Sequence, residues 1–407
     1  MTPRDLSHPA TTDKPALICL SHLRWDFVTQ RPQHLMDRFA RDYRVLFWEE
    51  AIPTTHHLPY LEFHAFHGTT VQAVRPRIPD RWSPQDQAAG LVGLFDQMLA
   101  LNGIVRPVLW LYTPMMWPVV QHVDAAAVVY DCMDELASFR FAPPALAGLE
   151  AALMASADLV TTGGWSLWEA RRNDHANIHA FPSSVETGHF ATARTGLAEP
   201  DDQAGLDLIA GLAAARPDWS VVMIGPVVKI DPAGLPRAPN LHWLGQKSYD
   251  QLPAYLAGWD VALMPFAMNE ATRYISPTKT PEYLAAGCPV VSTPVRDVVR
   301  QYGHLHAVRI ADGPAAFVAA CADALADAPA DICTEADAVL ARQSWDLTQA
   351  RMAALLDRAV DRRRRPAIPR PRRARPRPDV TICGAGFAGA VMARQLAEQS
   401  GKRVLVV

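Results

Sequence analysis

The sequence has no CxxC pair, no apolar run approaching 18 residues, and no basic stretch followed by an apolar one at its start. Each absence excludes a class of protein. Six cysteines (Cys19, Cys132, Cys288, Cys321, Cys333, Cys383) lie far apart, which speaks against both a zinc ligand set and a disulfide framework. A membrane-spanning helix needs a longer apolar run than any present. The opening MTPRDLSHPATTDKP does not read as a secretory signal. The expectation is a cytoplasmic protein with reduced thiols. Hydrophobic residues at 49% and charged residues at 20% exclude wholesale disorder, and 407 residues suggest two or three domains.

The net charge of −3 is unevenly spread. Arg362 to Pro378 holds nine arginines, five prolines and no acid, leaving −12 on the other 390 residues. Proline denies this segment regular hydrogen bonding, and its charges repel, so it reads as an extended linker. Peripheral contact with an anionic membrane surface is the second reading. No aromatic residue interleaves with the arginines, so specific nucleic-acid recognition is not expected.

The rest of the chain alternates short apolar runs with amphipathic stretches. ALICLS, RVLFW, VLWLY, AAVVY and DLVTT read as strands buried on both faces, because strict polar–apolar alternation is missing. Helical stretches separate them, and LEFHAF with VQAVR suggests an edge hairpin. Alternation breaks near residue 190 and resumes with SVVMIG, LHWLG, DVALMPF and PVVST among further helices. The fold class expected is α/β, with two doubly wound Rossmann-like lobes. The boundaries read 1–190, 191–360, a linker 361–378, and a βαβ unit 379–407.

Three constellations carry chemistry. In SPTKTPEYLAAGCPVVST, Thr280 can cap a helix whose first residue is Pro281, and Gly287 can end it. A helix start suits a diphosphate, with Lys279 beside it and Glu282 placed for ribose hydroxyls; plain capping is the alternative for Glu282. In SHLRWDFVTQRPQHLMDRFA, Arg24, Asp26, Gln30, Arg31, Gln33 and His34 crowd the first strand-to-helix turn, where such sheets bind ligands. Asp26 or His34 could accept a proton from an acceptor hydroxyl; the alternative for His34 is a surface residue paired with a carboxylate. Asp131 and Asp134 follow a buried strand, and each lines the cleft or caps the next turn. No metal site is expected. The third constellation, GAGFAG, sets Gly384, Gly386 and Gly389 between a strand and a helix, as a dinucleotide fingerprint requires.

Over residues 15–360 these motifs, with NLHWLGQKSYDQLPAYLAGWDVALMPF and VVYDCMDE, resemble nucleotide-sugar glycosyltransferases of the GT-B fold. The resemblance is closest to those of bacterial cell-surface polysaccharide synthesis. It implies donor binding by Glu282 at the ribose and by Lys279 and Lys229 at the phosphates; Asp26 or His34 as catalytic base, and an acceptor cleft at Arg24, Gln30, Arg31 and Asp131, rest on their places at strand ends. It implies no cofactor for transfer. Tyr274 stands where many relatives have a second Glu, and Glu270 has the wrong spacing to replace it. The strand and glycine turn that open the second lobe in relatives are missing from the polar stretch 191–205. Residues 379–407 resemble the start of UDP-galactopyranose mutase, a flavoenzyme, with an incomplete FAD fingerprint. The implied function is transfer from a UDP-sugar, with UDP-galactofuranose suggested by the fusion, to a polysaccharide or lipid-linked acceptor. The alternative is a truncated, impaired bifunctional protein that binds or scaffolds.

Overall fold

The computed structural model describes residues 14–138, 142–195, 208–225, 235–269, 272–326, 329–364, 380–382, 387–400 and 404–406. The first lobe runs β1 (Ala16–Leu20), α1 (Arg31–Phe39), β2 (Arg44–Trp48), β3 (Ile52–Thr54), β4 (Tyr60–Ala65), β5 (Gln72–Pro79), α2 (Pro84–Leu101) and β6 (Val108–Leu111). It continues through α3 (Trp117–Val120), β7 (Ala127–Cys132), α4 (Leu146–Ser156), β8 (Leu159–Thr162), α5 (Trp165–Arg171) and β9 (Ile178–Ala180); α6 (Thr187–Ala191) follows and packs into the second lobe's core through Phe190. The strand order is β3-β5-β2-β1-β6-β7-β8-β9, parallel throughout, with β4 antiparallel to β5. The expected hairpin is therefore present, and β3 and β9, too short to stand out in the sequence, extend the sheet.

Strand pleating sorts the apolar runs onto two faces. Ile18, Leu20, Leu46 and Trp48 face α2, α3 and α4 through Phe95, Val120 and Leu153. Leu17, Cys19, Val45 and Phe47 face α1 and a distant helix through Leu35, Phe39, Met352 and Leu356. Both faces being covered, neither needs polar positions.

The second lobe comprises α7 (Leu208–Ala215), β10 (Val221–Met223), β11 (Leu241–Trp243), α8 (Leu252–Ala257), β12 (Ala262–Met264), α9 (Lys279–Ala286) and β13 (Val290–Ser292). It closes with α10 (Arg296–Tyr302), β14 (Val308–Ile310), α11 (Pro314–Ala324) and α12 (Pro329–Leu340). Among the described residues its strands form two parallel sheets, β10-β11 and β12-β13-β14. One core nevertheless spans both, since Val221 and Leu241 pack with Val291, Phe317 and Cys321. Of the stretch 191–205, residues 191–195 are helical, and the rest lies outside the described residues.

Helix α13 (Trp345–Arg364) returns to the first sheet, burying Trp345, Met352 and Leu356 there. Arg362, Arg363 and Arg364 form its last turn, so the helix reaches into the segment read as a linker before the first proline. The remainder of that segment lies outside the described residues. Residues 362–407 cluster as a separate unit, in which β15 (Val380–Ile382) pairs parallel with β16 (Val404–Val406) and α14 (Phe387–Ser400) lies between them in sequence.

Candidate functional site

A cavity of about 1350 Å³ opens between the lobes. One wall is the loop after β1, Trp25 to Thr29; the other includes Gly225, Gln246, Lys247, Ser248, Tyr249, Lys279 and Glu282. Gln246 Nε2 donates to the Phe27 carbonyl at 3.0 Å, crossing the cleft.

The loop is held from below. The buried Glu49 carboxylate, just after β2, accepts from Arg24 Nη1 at 2.9 Å, the Trp25 amide at 2.9 Å and Arg75 Nε at 2.7 Å. Arg75 also pairs with Asp26 at 2.7 Å. That hydrogen bond holds the Asp26 carboxyl below the usual range, so Asp26 is ionised but a weakened base. Gln33 donates to the Arg24 and Trp25 carbonyls, both at 3.1 Å. Sequence reasoning named Arg24, Asp26 and Gln33 but not Glu49, because a lone Glu after a strand carries no pattern.

On the opposite wall, α9 begins at Lys279, two residues earlier than the Thr280–Pro281 cap reading placed it. Thr280 lies inside the helix and its buried Oγ1 makes no hydrogen bond. The correction brings Lys279 and Glu282 onto one turn, with Nζ 2.7 Å from Oε2. Glu282 is buried while Lys279 is half exposed at the cavity wall. Gly287 ends the helix at φ +87°, the left-handed cap that glycine tolerates. Tyr249 Oη is buried beside this pair without a partner, and burial together with the Glu282 charge raises its pKa.

The other named residues sit elsewhere. Arg31 and Asp131 are a buried bidentate pair at 2.9 and 3.0 Å, with Arg31 also donating to the Phe181 carbonyl and Thr161 to Asp131. Neither lines the cavity, so the structure gives them a framework role in place of the acceptor-cleft one. Gln30 completes a capping box with Gln33 at the start of α1. His34 stacks on Trp345 (ring centroids 4.8 Å apart) with Nδ1 3.6 Å from Glu186, behind the cavity where the lobes meet. This matches its carboxylate-paired alternative. Asp134 also lies off the cavity lining, its carboxyl raised by burial. Tyr274 packs against the first lobe's core. Lys229, Glu270, Gly384 and Gly386 lie outside the described residues, and Gly389 is in α14. Among the described residues no cluster of three or more His, Cys, Asp or Glu could hold a metal, and no helix is long and apolar enough to cross a membrane.

Two lobes of parallel sheet facing a polar-rimmed cleft are the GT-B architecture. Residues 204–327 match the family described as Glycosyl transferases group 1. A 118-residue stretch is 30% identical to the teichuronic acid biosynthesis glycosyltransferase TuaH of Bacillus subtilis, described as putative there. That alignment covers 28% of this chain and 30% of the relative's length. Sucrose-phosphate synthase from Thermosynechococcus elongatus superposes with a TM-score of 0.63 at 16% identity, over 86% of this chain and 100% of its own. Anabaena HepE, solved in complex with UDP-glucose, gives 0.61 at 13% identity, over 84% and 100%. An E. coli structure described as trehalose-6-phosphate bound with UDP-2-fluoro glucose gives 0.59 at 12% identity, over 84% and 98%.

Proposed function

We propose that the chain transfers a sugar from a UDP-sugar to a carbohydrate or lipid-linked acceptor of a cell-surface glycan. The observation that carries this is the placing of Lys279 and Glu282 on one helical turn at the wall of the interlobe cavity. The cation is positioned for the leaving diphosphate and the carboxylate for the ribose hydroxyls, so rate would come from positioning and from charge placed where it develops. Two neighbours of the same fold were solved with UDP-glucose or its fluorinated analogue, which supports a UDP donor. Lys229 is proposed as a second phosphate partner. Asp26 is the better-placed base of the two named, because it alone lines the cavity. The likeness of residues 379–407 to a UDP-galactopyranose mutase supports UDP-galactofuranose as the donor. Calorimetric titration with UDP, then with UDP-glucose and UDP-galactose, tests the reading; a folded protein that binds none of them overturns it.

A second reading has its own observation. Among the described residues the second lobe's strands fall into two sheets, which favours an impaired enzyme that binds without turnover. UDP binding without hydrolysis or transfer would select it.

A further inference from the structure

The second lobe contains a seam. Among the described residues β10 pairs only with β11, and β12 only with its neighbour β13. The cavity runs between the two unpaired edges: Val221–Met223 of β10 line it, as does Leu263 of β12, whereas no residue of β11, β13 or β14 does.

Register decides where the peptide groups point. The Val221 amide donates to Asn240 at 3.0 Å and the Leu244 amide to the Met223 carbonyl at 3.1 Å. Parallel ladders use alternate residues, so the Val222 N–H and C=O turn to the opposite edge. The Ala262 amide donates to Pro289 at 2.8 Å and the Thr293 amide to the Met264 carbonyl at 3.1 Å, which turns the Leu263 peptide groups away from β13 in the same manner. Val222 and Leu263 thus present donors and acceptors to one gap from its two sides.

The gap is apolar above and below, with Leu212 and Cys321 from one helical layer and Tyr255 and Leu256 from the other. Asp218, paired with Arg216, and Asp260 are exposed on the cavity wall just before β10 and β12. Arg216 neutralises Asp218, so Asp260 gives the amino end of the gap its acidic character. The cavity also exceeds the roughly 300–1,000 Å³ usual for a small-ligand site, leaving room beyond a nucleotide.

We propose that this gap is a strand-acceptor site. It takes an extended peptide parallel to β10 and β12, apolar and β-branched because both its faces are covered, with a basic amino end set against Asp260. A hydrocarbon chain would match the apolar layers but leave the Val222 and Leu263 peptide groups unpaired. Only an extended backbone answers both edges.

The test is calorimetric titration of the full chain with a peptide of two lysines followed by Val-Ile-Val-Val-Ile. Saturable one-to-one binding is expected, with a rise in Tm. Binding should weaken about tenfold or more when alternate peptide nitrogens are methylated. It should weaken also in the variant Asp260→Lys, whose exposed site leaves folding intact. Undiminished binding of the methylated peptide, or equal binding of a dodecyl chain bearing the same two lysines, would overturn the proposal. So would no binding by a protein that melts cooperatively. UDP titrated in parallel reports the donor site separately.

Discussion

Gly164 and Asp297 meet across the lobe interface so closely that a Cβ on Gly164 would lie 2.1 Å from Asp297 Oδ2. The carboxylate accepts the Trp165 and Ser166 amides at 2.7 and 2.9 Å, capping α5 of the first lobe from α10 of the second. Arg296 and Arg300 on the same helix reach Glu169. Gly164→Ala should destabilise the closed arrangement by more than the loss of one charged hydrogen bond, which is about 1.5–3 kcal/mol. A lower melting temperature together with a larger radius of gyration by solution scattering is the expected result.

Lys279→Ala and Glu282→Ala should each weaken UDP binding by about 1.5–3 kcal/mol, roughly tenfold to a hundredfold, measured by calorimetry. Since the two side chains pair with each other in the absence of ligand, the double variant should lose less than the sum. Unchanged affinity in both single variants would reduce Glu282 to a helix-cap residue.

Asp131→Ala should cost about 3–5 kcal/mol of stability in urea titration, because it strands the buried Arg31 guanidinium. Under conditions where the variant remains folded, acceptor KM should stay at the parent value. A raised KM with unchanged stability would restore the acceptor-cleft role.

Stability should fall with acid through a cluster at the lobe junction. The neighbouring His34 ring, and then Arg38, hold Glu186 below its usual range; Arg38 and Arg41 do the same for Asp346. A carboxyl with a depressed folded pKa stabilises fully above its unfolded value near 4, and that contribution is lost as pH drops through the folded one. Melting temperature should therefore decline below about pH 4.5. Arg38→Met should flatten that decline, with a loss at neutral pH of roughly 1–2 kcal/mol, since Glu186 and Asp346 are partly exposed.

The first lobe was legible because its strands are five or so residues long and apolar on both faces, a pattern local sequence displays. The three-residue strands β3, β9 and β14 were not, since so short a run is specified by its neighbours in the sheet. In the site, Lys279 and Glu282 could be read from a helix start, where charge and amide direction are local facts. The burial of Arg31 with Asp131, 100 positions apart, and the support of Trp25 by Glu49 depend on which strand ends converge, and neither spacing nor residue type announces that.

The chain passes between the lobes twice, and the two passages are bonded to each other. The Val185 amide donates to the Gln343 carbonyl at 3.0 Å, and the Ser184 and Thr348 hydroxyls lie 2.6 Å apart. Adjacent strands of one seam act as a book's spine: they permit rotation about their common line and resist sliding or twisting of one cover over the other. Rotation about that line has two sets of contacts to break, the Gln246–Phe27 hydrogen bond over the cavity and the ties of Asp297 and Glu169 between α5 and α10.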